Sequence, residues 1–332
     1  MASTKTKKAI AAHDQEHELP REMIEEILSH VPPISLVRFR TVCKRWNALF
    51  NDETFINNHK LTFRFILTTK SKIYSVSIDP KILVRELTLE VPGIESEIKL
   101  LVDCNEFLLC SMDKGAAVWN PWLKQSRWIK ADASQPSFRI NGIGYDNNDN
   151  MRVAERRYKT IGTDPVYDLV NFDFSSEIFY SFFCDLPCGM NHPRNALVLR
   201  VFRGDRFSLL KQCYKTKKIE IWVTKNKINI EDGDDVVWMN FRTFSIPNFP
   251  GLVANEYSYS QIQPSYFIND KRLVLCSCDE TGHPWIYVVE ENKLISKVQL
   301  NDVVDPWPLH CTYFPSLVPV PGGPREEVLL QV

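Results

Sequence analysis

A stretch near the N-terminus, residues 19–55, constrains the fold of this chain more than any other feature. Its first half places apolar side chains every three or four residues, as on one face of a helix: Met23, Ile24, Ile27, Leu28 and Val31. Pro32 and Pro33 lack backbone N–H groups and disfavour helical geometry at the residue before them. A first helix must therefore end near Val31, and the stretch is predicted to form several short helices.

Two further helical pieces follow the prolines. Ser35 is a suitable N-cap for a second helix that runs to about Arg40. A third apolar face follows it, made of Val42, Trp46, Leu49 and Phe50. Units below about 40 residues usually need outside support to stay folded, so we expect another protein to dock on this three-helix module.

The module resembles the F-box, a motif that binds the Skp-type adaptor of cullin-based ubiquitin ligases. The resemblance covers residues 17–58 without a gap and includes Leu19, Pro20, Ile24, Ile27, Leu28, Val31, Pro32, Ser35, Leu36, Arg38, Arg40, Val42, Cys43, Lys44, Trp46, Leu49, Asp52 and Phe55. The alternative is an ordinary helical subdomain that packs on the rest of the chain.

The resemblance implies which side chains contact the adaptor: Leu19, Pro20, Ile24, Ile27, Leu28, Leu36, Arg38, Arg40, Val42, Cys43 and Trp46. Apolar anchors of this kind commonly cost about 2 to 4 kcal/mol each when truncated. A basic cluster, Arg38, Arg40, Lys44 and Arg45, is expected to speed encounter with an acidic adaptor. Its alternative interpretation is a solvated helix face.

Composition favours a globular chain with one small module and one larger domain. The 332 residues are 44% hydrophobic and 24% charged, with a net charge of -1, which gives no sign of a nucleic-acid-binding protein. Nine irregularly spaced cysteines are typical of reduced thiols, so we expect the nucleus and/or the cytoplasm rather than secretion. No apolar run reaches the roughly 18 residues of a membrane helix, and a membrane partner is not expected.

Beyond residue 60 the pattern changes to short segments rich in β-branched and aromatic residues, which predicts strands. Four strand-turn-strand units recur at intervals of roughly 50 residues, as in a kelch-like propeller. They begin at Ala117, Leu169, Ile219 and Ile286. The alternative is a sandwich of unrelated hairpins.

This region resembles the type 1 F-box-associated domain of the large plant F-box family, a kelch-like β-propeller taken to select the substrate. The resemblance rests on segments 118–121, 143–146, 171–174, 186–187, 209–210, 219–223 and 313–318, together with Trp238. One departure stands out: between Tyr145 and Asp168 the chain is too short for the strands that the family has there. About one blade is predicted to be missing, which would leave strand edges exposed.

The predicted fold class is therefore α+β, a three-helix F-box module followed by a mostly antiparallel, kelch-like β-propeller that lacks about one blade. The expected boundaries are a disordered arm over 1–16, the F-box over 17–58, the β domain over 61–300 and a Pro-rich C-terminal segment over 301–332.

Candidate catalytic and metal sites fail on their spacing. Asp146, Asn148 and Asn150 have the spacing of the first three ligands of a calcium loop. Met151, however, stands where glycine is needed, and Arg157 where the bidentate glutamate belongs. The pairs Cys184/Cys188 and Cys276/Cys278 lack zinc-site spacing and are expected to be buried in strands or loops. His283 and His310 are expected in surface loops, and no cofactor is predicted.

Two classes of function remain from the sequence. In the first, the chain is the non-catalytic substrate-recognition subunit of a Skp-cullin-F-box ubiquitin ligase, bound to the adaptor and through it to a cullin, with an unknown protein as substrate. In the second, the propeller is a ligand- or glycan-binding protein or an enzyme with an appended helical module. A convergent group of His, Asp and Glu residues would favour the second class, and the sequence offers none.

Overall fold

The computed structural model describes residues 19–89, 97–104, 106–130, 154–161, 164–173, 178–187, 194–202, 206–225, 236–253, 263–269 and 271–320. The predicted arm over 1–16 lies outside these residues. The chain divides into two units, with the division between Leu61 and Thr62.

The described part of the first unit, residues 19–61, contains four short helices. They are α1 (Arg21–Ser29), α2 (Pro33–Phe39), α3 (Lys44–Leu49) and α4 (Glu53–Asn58). The end of α1 before the prolines agrees with the sequence, but α2 begins at Pro33 rather than near Ser35. A proline at the first helical position loses no hydrogen bond, because the N–H it lacks would have had no partner within the helix.

The predicted count of three helices is too low, because α4 is a separate element. Asp52 caps it, since its Oδ1 accepts a hydrogen bond from the Thr54 amide at 2.8 Å. Cys43 caps α3 in the same manner through its sulfur, 3.5 Å from the Trp46 amide nitrogen. None of the helices in the described residues is long and apolar enough to cross a membrane.

In the residues that the structure describes, the second unit consists of antiparallel sheets, four of them with four strands. Its strands are β1 (Phe65–Thr68), β2 (Ile73–Ser77), β3 (Leu83–Leu87), β4 (Leu100–Cys104), β5 (Phe107–Met112), β6 (Gly115–Asn120), β7 (Gln125–Lys130), β8 (Ala154–Ile161), β9 (Asp164–Asp173), β10 (Ile178–Asp185), β11 (Ala196–Phe202), β12 (Arg206–Gln212), β13 (Ile219–Thr224), β14 (Trp238–Phe244), β15 (Ser265–Asn269), β16 (Arg272–Cys278), β17 (Pro284–Glu290), β18 (Lys293–Gln299) and β19 (Leu309–Thr312).

The sheets follow one another along the chain as blades of a propeller. Their strand orders are β19-β1-β2-β3, β4-β5-β6-β7, β8-β9-β10, β11-β12-β13-β14 and β15-β16-β17-β18. The last strand of the chain, β19, pairs with the first, β1, and lies beside β4 and β15. This joins the two ends of the domain in one blade. The predicted architecture, a small helical module followed by a mostly antiparallel propeller, is confirmed.

Burial on both faces explains why an inner strand such as β16 is almost continuously apolar. In β16, Leu273 and Leu275 pack in a cluster with residues of β11 to β14, whereas Val274 and Cys276 pack in a cluster with residues of β1 and β2. Successive side chains of a strand point to opposite faces, so this blade contacts both neighbours. A strand between two blades needs apolar residues at every position.

Two parts of the β unit differ from the sequence prediction. The basic residues 154–161, which carried no strand prediction, form β8 and give a sheet of only three strands. The β unit also continues past residue 300, because β19 lies in the segment set apart as Pro-rich, and Tyr313, Leu317 and Val320 are buried. The described chain thus has one blade that is short by one strand.

Candidate functional site

An exposed apolar stripe lies on helix α1 and just before it. It consists of Leu19, Met23 and Ile27, which are 48%, 52% and 54% exposed. Met23 and Ile27 are four residues apart and lie on the same side of α1, whereas Leu19 precedes the helix and its N-cap, Pro20. Met23 was identified in the sequence as part of an apolar face but was not predicted as a contact residue.

The opposite side of the helical module forms its interior. Leu28 and Leu36 are 2% and 0% exposed and lie inside the module with Leu49, Phe50 and Phe55. Both side chains are buried in the structure, where they help to hold α1 and α2 in position. Their predicted contact with the adaptor stays a prediction.

The remaining predicted contact residues differ in exposure. Pro20, Arg38, Val42 and Cys43 are exposed, Val42 to 60%. Ile24, Arg40 and Trp46 are only partly exposed. The exposed members of the set therefore lie before α1, on α1 and α2, and in the turn between α2 and α3.

A chain of aromatic rings holds α2, α3 and α4 together. Trp46 lies between Phe39 and Phe50, with ring centroids 5.6 and 6.4 Å away, and Phe50 contacts Phe55 at 5.8 Å. Tilted ring pairs at these distances are favourable beyond the area that they bury. Trp46 thus has a structural role in the module, whatever else it contacts.

His59 joins the end of α4 to the end of α1. Its Nδ1 accepts a hydrogen bond from the Leu61 amide at 3.1 Å, so the neutral ring donates from Nε2 to the Val31 carbonyl oxygen at 2.9 Å. Burial lowers the pKa of His59 below its usual value, which keeps the ring neutral. The Ser29 carbonyl also accepts a bond from the Lys60 amide, which strengthens the same junction.

Within the basic cluster, Arg40 is committed to contacts inside the module. Its Nη1 donates to Asn51 Oδ1 at 2.7 Å and to Asn47 Oδ1 at 3.2 Å, and its Nη2 donates to the Phe50 carbonyl at 3.2 Å. These bonds tie the end of α2 to α3 and the residues after it. Arg38, Lys44 and Arg45 are exposed.

The described residues of the β unit contain no assembled metal-binding group. No three His, Cys, Asp or Glu side chains converge there in a way that could hold a metal ion. Residues 146–150, the rejected calcium loop, and Cys188 lie outside the described residues, and the side chain of Cys184 is likewise not described. Cys276 and Cys278 are buried in β16, as expected, and burial raises the pKa of both thiols.

The two histidines of the β unit differ in environment. His283 is exposed, as predicted, but the prediction for His310 is wrong, because this residue lies buried in β19. Its Nδ1 is 2.8 Å from Ser265 Oγ, and burial lowers its pKa to about 4. The neighbouring prolines suggested a loop, whereas pairing with β1 places the side chain in the interior.

Family comparisons agree with this two-unit organisation. The F-box domain model matches residues 17–58. The model of the F-box associated beta propeller domain matches residues 64–168 and 162–320, two segments that overlap over residues 162–168, which include the first part of β9. The break in this second match falls at the three-stranded sheet.

Two relatives from Arabidopsis thaliana cover nearly the whole chain. An F-box protein is 55% identical over 353 residues, with 93% of this chain and 96% of the relative aligned. An F-box/kelch-repeat protein is 52% identical over 367 residues, with 93% and 95% aligned. Both alignments are longer than the 332 residues of this chain, so the relatives contain residues that have no counterpart here.

Similarity to solved structures is weak. A mutant Aleuria aurantia lectin in complex with Fucα1-6GlcNAc is 11% identical, covers 74% of this chain and 78% of its own, and has a TM-score of 0.35. That score is too low to support a conclusion about the fold or a ligand. The matches to both family models and to the Arabidopsis relatives show that the chain belongs to the F-box proteins that carry an F-box associated β-propeller domain.

Proposed function

We propose that this chain is the substrate-recognition subunit of an SCF-type (Skp-cullin-F-box) ubiquitin ligase. The F-box would bind a Skp-type adaptor, and through it a cullin, while the β unit would hold a target protein. The chain would contribute binding and proximity rather than a catalytic group, because a bound target has a high effective concentration at the transfer enzyme.

The observation that carries this proposal is the exposed stripe on α1 within a segment that matches the F-box. Leu19, Met23 and Ile27 are each about half exposed although the module has its own core. Contiguous apolar surface of this kind usually marks a protein interface. The sequence resemblance assigns two of these three residues to the adaptor contact, and the structure adds Met23 to the same stripe.

A nuclear or cytosolic location also belongs to this proposal. Seven cysteines with described side chains form no disulfide: Cys43, Cys104, Cys110, Cys213, Cys276, Cys278 and Cys311. Free thiols in this number are usual in reducing compartments.

The test is binding of the full chain to a Skp-type adaptor, measured by co-purification and by titration calorimetry. Met23→Glu with Ile27→Glu places two charges in the stripe, and we expect it to weaken binding at least a hundredfold, since central anchors carry about 2 kcal/mol or more each. The matched control is Leu294→Glu with Ile295→Glu, which makes the same change at residues 37% and 57% exposed on β18.

The control should bind like the unmodified chain. Equal affinity of the stripe variant and the control, with both folded by circular dichroism, would show that the stripe does not bind the adaptor. Absence of binding by the unmodified, folded chain would overturn the proposal as a whole.

A further inference from the structure

The turn between β12 and β13 is held in a fixed conformation by its backbone. The Cys213 amide donates to the Lys218 carbonyl at 3.0 Å, and the Lys217 amide donates to the Cys213 carbonyl at 2.8 Å. Lys217 has a positive φ of 59°, which closes the turn. Residues 213–218 are called the lysine hairpin below.

Buried side chains anchor the lysine hairpin to the rest of the blade. Gln212, 2% exposed, donates from Nε2 to the Pro250 carbonyl at 2.9 Å and accepts from the Leu252 amide at 2.7 Å. Asn195, 8% exposed, accepts a bond from the Tyr214 amide at 3.0 Å. A turn fixed in this way presents its side chains without a large ordering cost when a partner binds.

Several cationic side chains surround the lysine hairpin. A depression of about 470 Å³ is lined by Lys211, Lys215 and Lys218, with Glu220 as its acidic residue. Arg194 and Lys215 both lie over the ring of Tyr214, 5.9 and 5.7 Å from its centroid. Lys218 pairs with Glu220 at 2.7 Å, so one carboxylate faces several cations.

Cys213 lies in the same depression, so the reactivity of its thiol can show whether the depression is occupied. Burial opposes ionisation of its thiol, but hydrogen bonds that involve Thr216 and the charge of Lys211 outweigh burial and lower the pKa of Cys213. A thiol of this kind reacts readily with alkylating reagents when it is accessible.

We propose that the lysine hairpin, with Lys211 and Arg194, is a binding surface for an acidic segment of the target protein, rich in Asp and Glu. The cations surround a concave site of the size that holds a few residues of a peptide, and Tyr214 adds an apolar surface beneath the cations. Complementary charge of this type sets specificity and association rate. The proposal rests on the proposed function, since it names the class of target segment that the β unit would hold.

The first experiment measures peptide binding to the full chain by fluorescence anisotropy. The probe is a fluorescein-labelled peptide rich in Asp and Glu, and its counterpart carries Asn and Gln at the same positions. We expect the acidic peptide to bind and the neutral one to bind at least tenfold more weakly, with the affinity of the acidic peptide falling as salt is added.

Lys215→Glu with Lys218→Glu should weaken binding of the acidic peptide by on the order of tenfold or more, since several exposed charge pairs are lost or reversed. The matched control is Lys81→Glu with Lys293→Glu. Lys81 lies in the turn between β2 and β3, and Lys293 is the first residue of β18, directly after the turn from β17. Both exposed lysines therefore lie at the end of their blades opposite to the lysine hairpin, and the control should bind normally. If the hairpin variant fails to fold, Lys215→Gln with Lys218→Gln should give a smaller loss in the same direction.

Equal binding of the acidic and neutral peptides, or an equal loss in the hairpin and control variants, would overturn the proposal. A single-stranded oligonucleotide that competes as well as the acidic peptide at equal charge would also overturn it, because the surface would then bind any polyanion.

The second experiment maps iodoacetamide labelling by mass spectrometry. The acidic peptide should slow labelling of Cys213 and leave that of Cys43, which is exposed in the F-box, unchanged. The Skp-type adaptor should do the reverse. Protection of Cys43 without protection of Cys213 would keep the proposed function and reject the lysine hairpin; the opposite result would reject adaptor binding and keep the hairpin.

Discussion

The Tyr313 hydroxyl donates a hydrogen bond to Asn120 Oδ1 at 2.9 Å, although 193 positions separate the two residues. The same oxygen accepts bonds from the amides of Trp122 and Leu123 at 3.1 Å, and Asn120 Nδ2 donates to the carbonyls of Ser316 and Val318 at 3.0 and 2.9 Å. Asn120 is fully buried, and its amide is satisfied on both sides. One side chain therefore ties the turn after β6 to the segment that follows β19.

Replacement of Asn120 should destabilise the β unit severely. Asn120→Ala removes five hydrogen bonds and leaves buried backbone groups without partners, so we expect a loss of about 3 to 5 kcal/mol. Tyr313→Phe removes only one of these bonds and should cost about 1 kcal/mol. Urea unfolding followed by tryptophan fluorescence measures both, with Asn301→Ala, at an exposed turn position, as the control. Similar midpoints for Asn120→Ala and Asn301→Ala would contradict the assigned role.

Both ends of this contact were recognised in the sequence, but the contact itself was not. Segments 118–121 and 313–318 were identified by resemblance, each from its own local pattern. Pairing between positions so far apart depends on the ring that β1 and β19 close, and no local signal records it. By contrast, β17 lies where the sequence placed the strand-turn-strand unit that begins at Ile286, because burial on both faces leaves a continuous apolar run.

A buried histidine should make stability depend on pH. The pKa of His310 is about 4 in the folded chain and near 6.5 when unfolded, so the unfolded chain binds more protons between these values. The folded chain is most stable above pH 6.5, where His310 is neutral in both states. Its stability falls by up to about 3 kcal/mol as the pH falls toward 4. Urea unfolding of the β unit at several pH values measures this slope.

His310→Gln cannot take up that proton, so its stability should fall less steeply between pH 6.5 and 4 than that of the unmodified chain. His283→Gln is the matched control, because it makes the same substitution at an exposed histidine of the same unit. Parallel pH profiles for the unmodified chain and His310→Gln would show that His310 does not titrate in this range.

Two arginines of the basic cluster should respond differently to replacement. Arg40→Ala removes the bonds to Asn47, Asn51 and the Phe50 carbonyl and should destabilise the F-box by about 1 to 3 kcal/mol. Arg38→Ala, at an exposed position, should change stability by less than about 0.5 kcal/mol but slow adaptor association, most strongly at low salt. Hydrogen exchange of residues 21–58 and stopped-flow association separate the two effects. A salt-independent association rate for Arg38→Ala would mean that this arginine does not steer binding.

The F-box shows what residue patterns can and cannot predict. The first two helices follow from the prolines and the apolar spacing, but α4 is only six residues long, and its one strong signal is the Asp52 cap. Which apolar residues point outward was also not predictable: Ile27 and Leu28 are adjacent and equally apolar, yet only Leu28 is buried. A helix packed on a small core covers one side, and the packing of α1, not its composition, selects that side.

The three-stranded sheet should be the least protected part of the β unit. Among the described strands of this sheet, only β9 is paired on both sides, whereas each four-stranded blade has two such strands. The pairing of β9 with β10 also shifts register between Ser181 and Asp185. Both alignments to relatives are longer than this chain, and the propeller-domain match breaks at residues 162–168, which agrees with the loss of a segment here.

We expect amides of β9 to exchange at least tenfold faster than those of β13, a central strand of a four-stranded blade, because opening free energies differ by about 1.4 kcal/mol or more. Hydrogen exchange of the full chain, read by mass spectrometry, compares the two strands directly. Equal protection of β9 and β13 would mean that the three-stranded sheet is as stable as its neighbours.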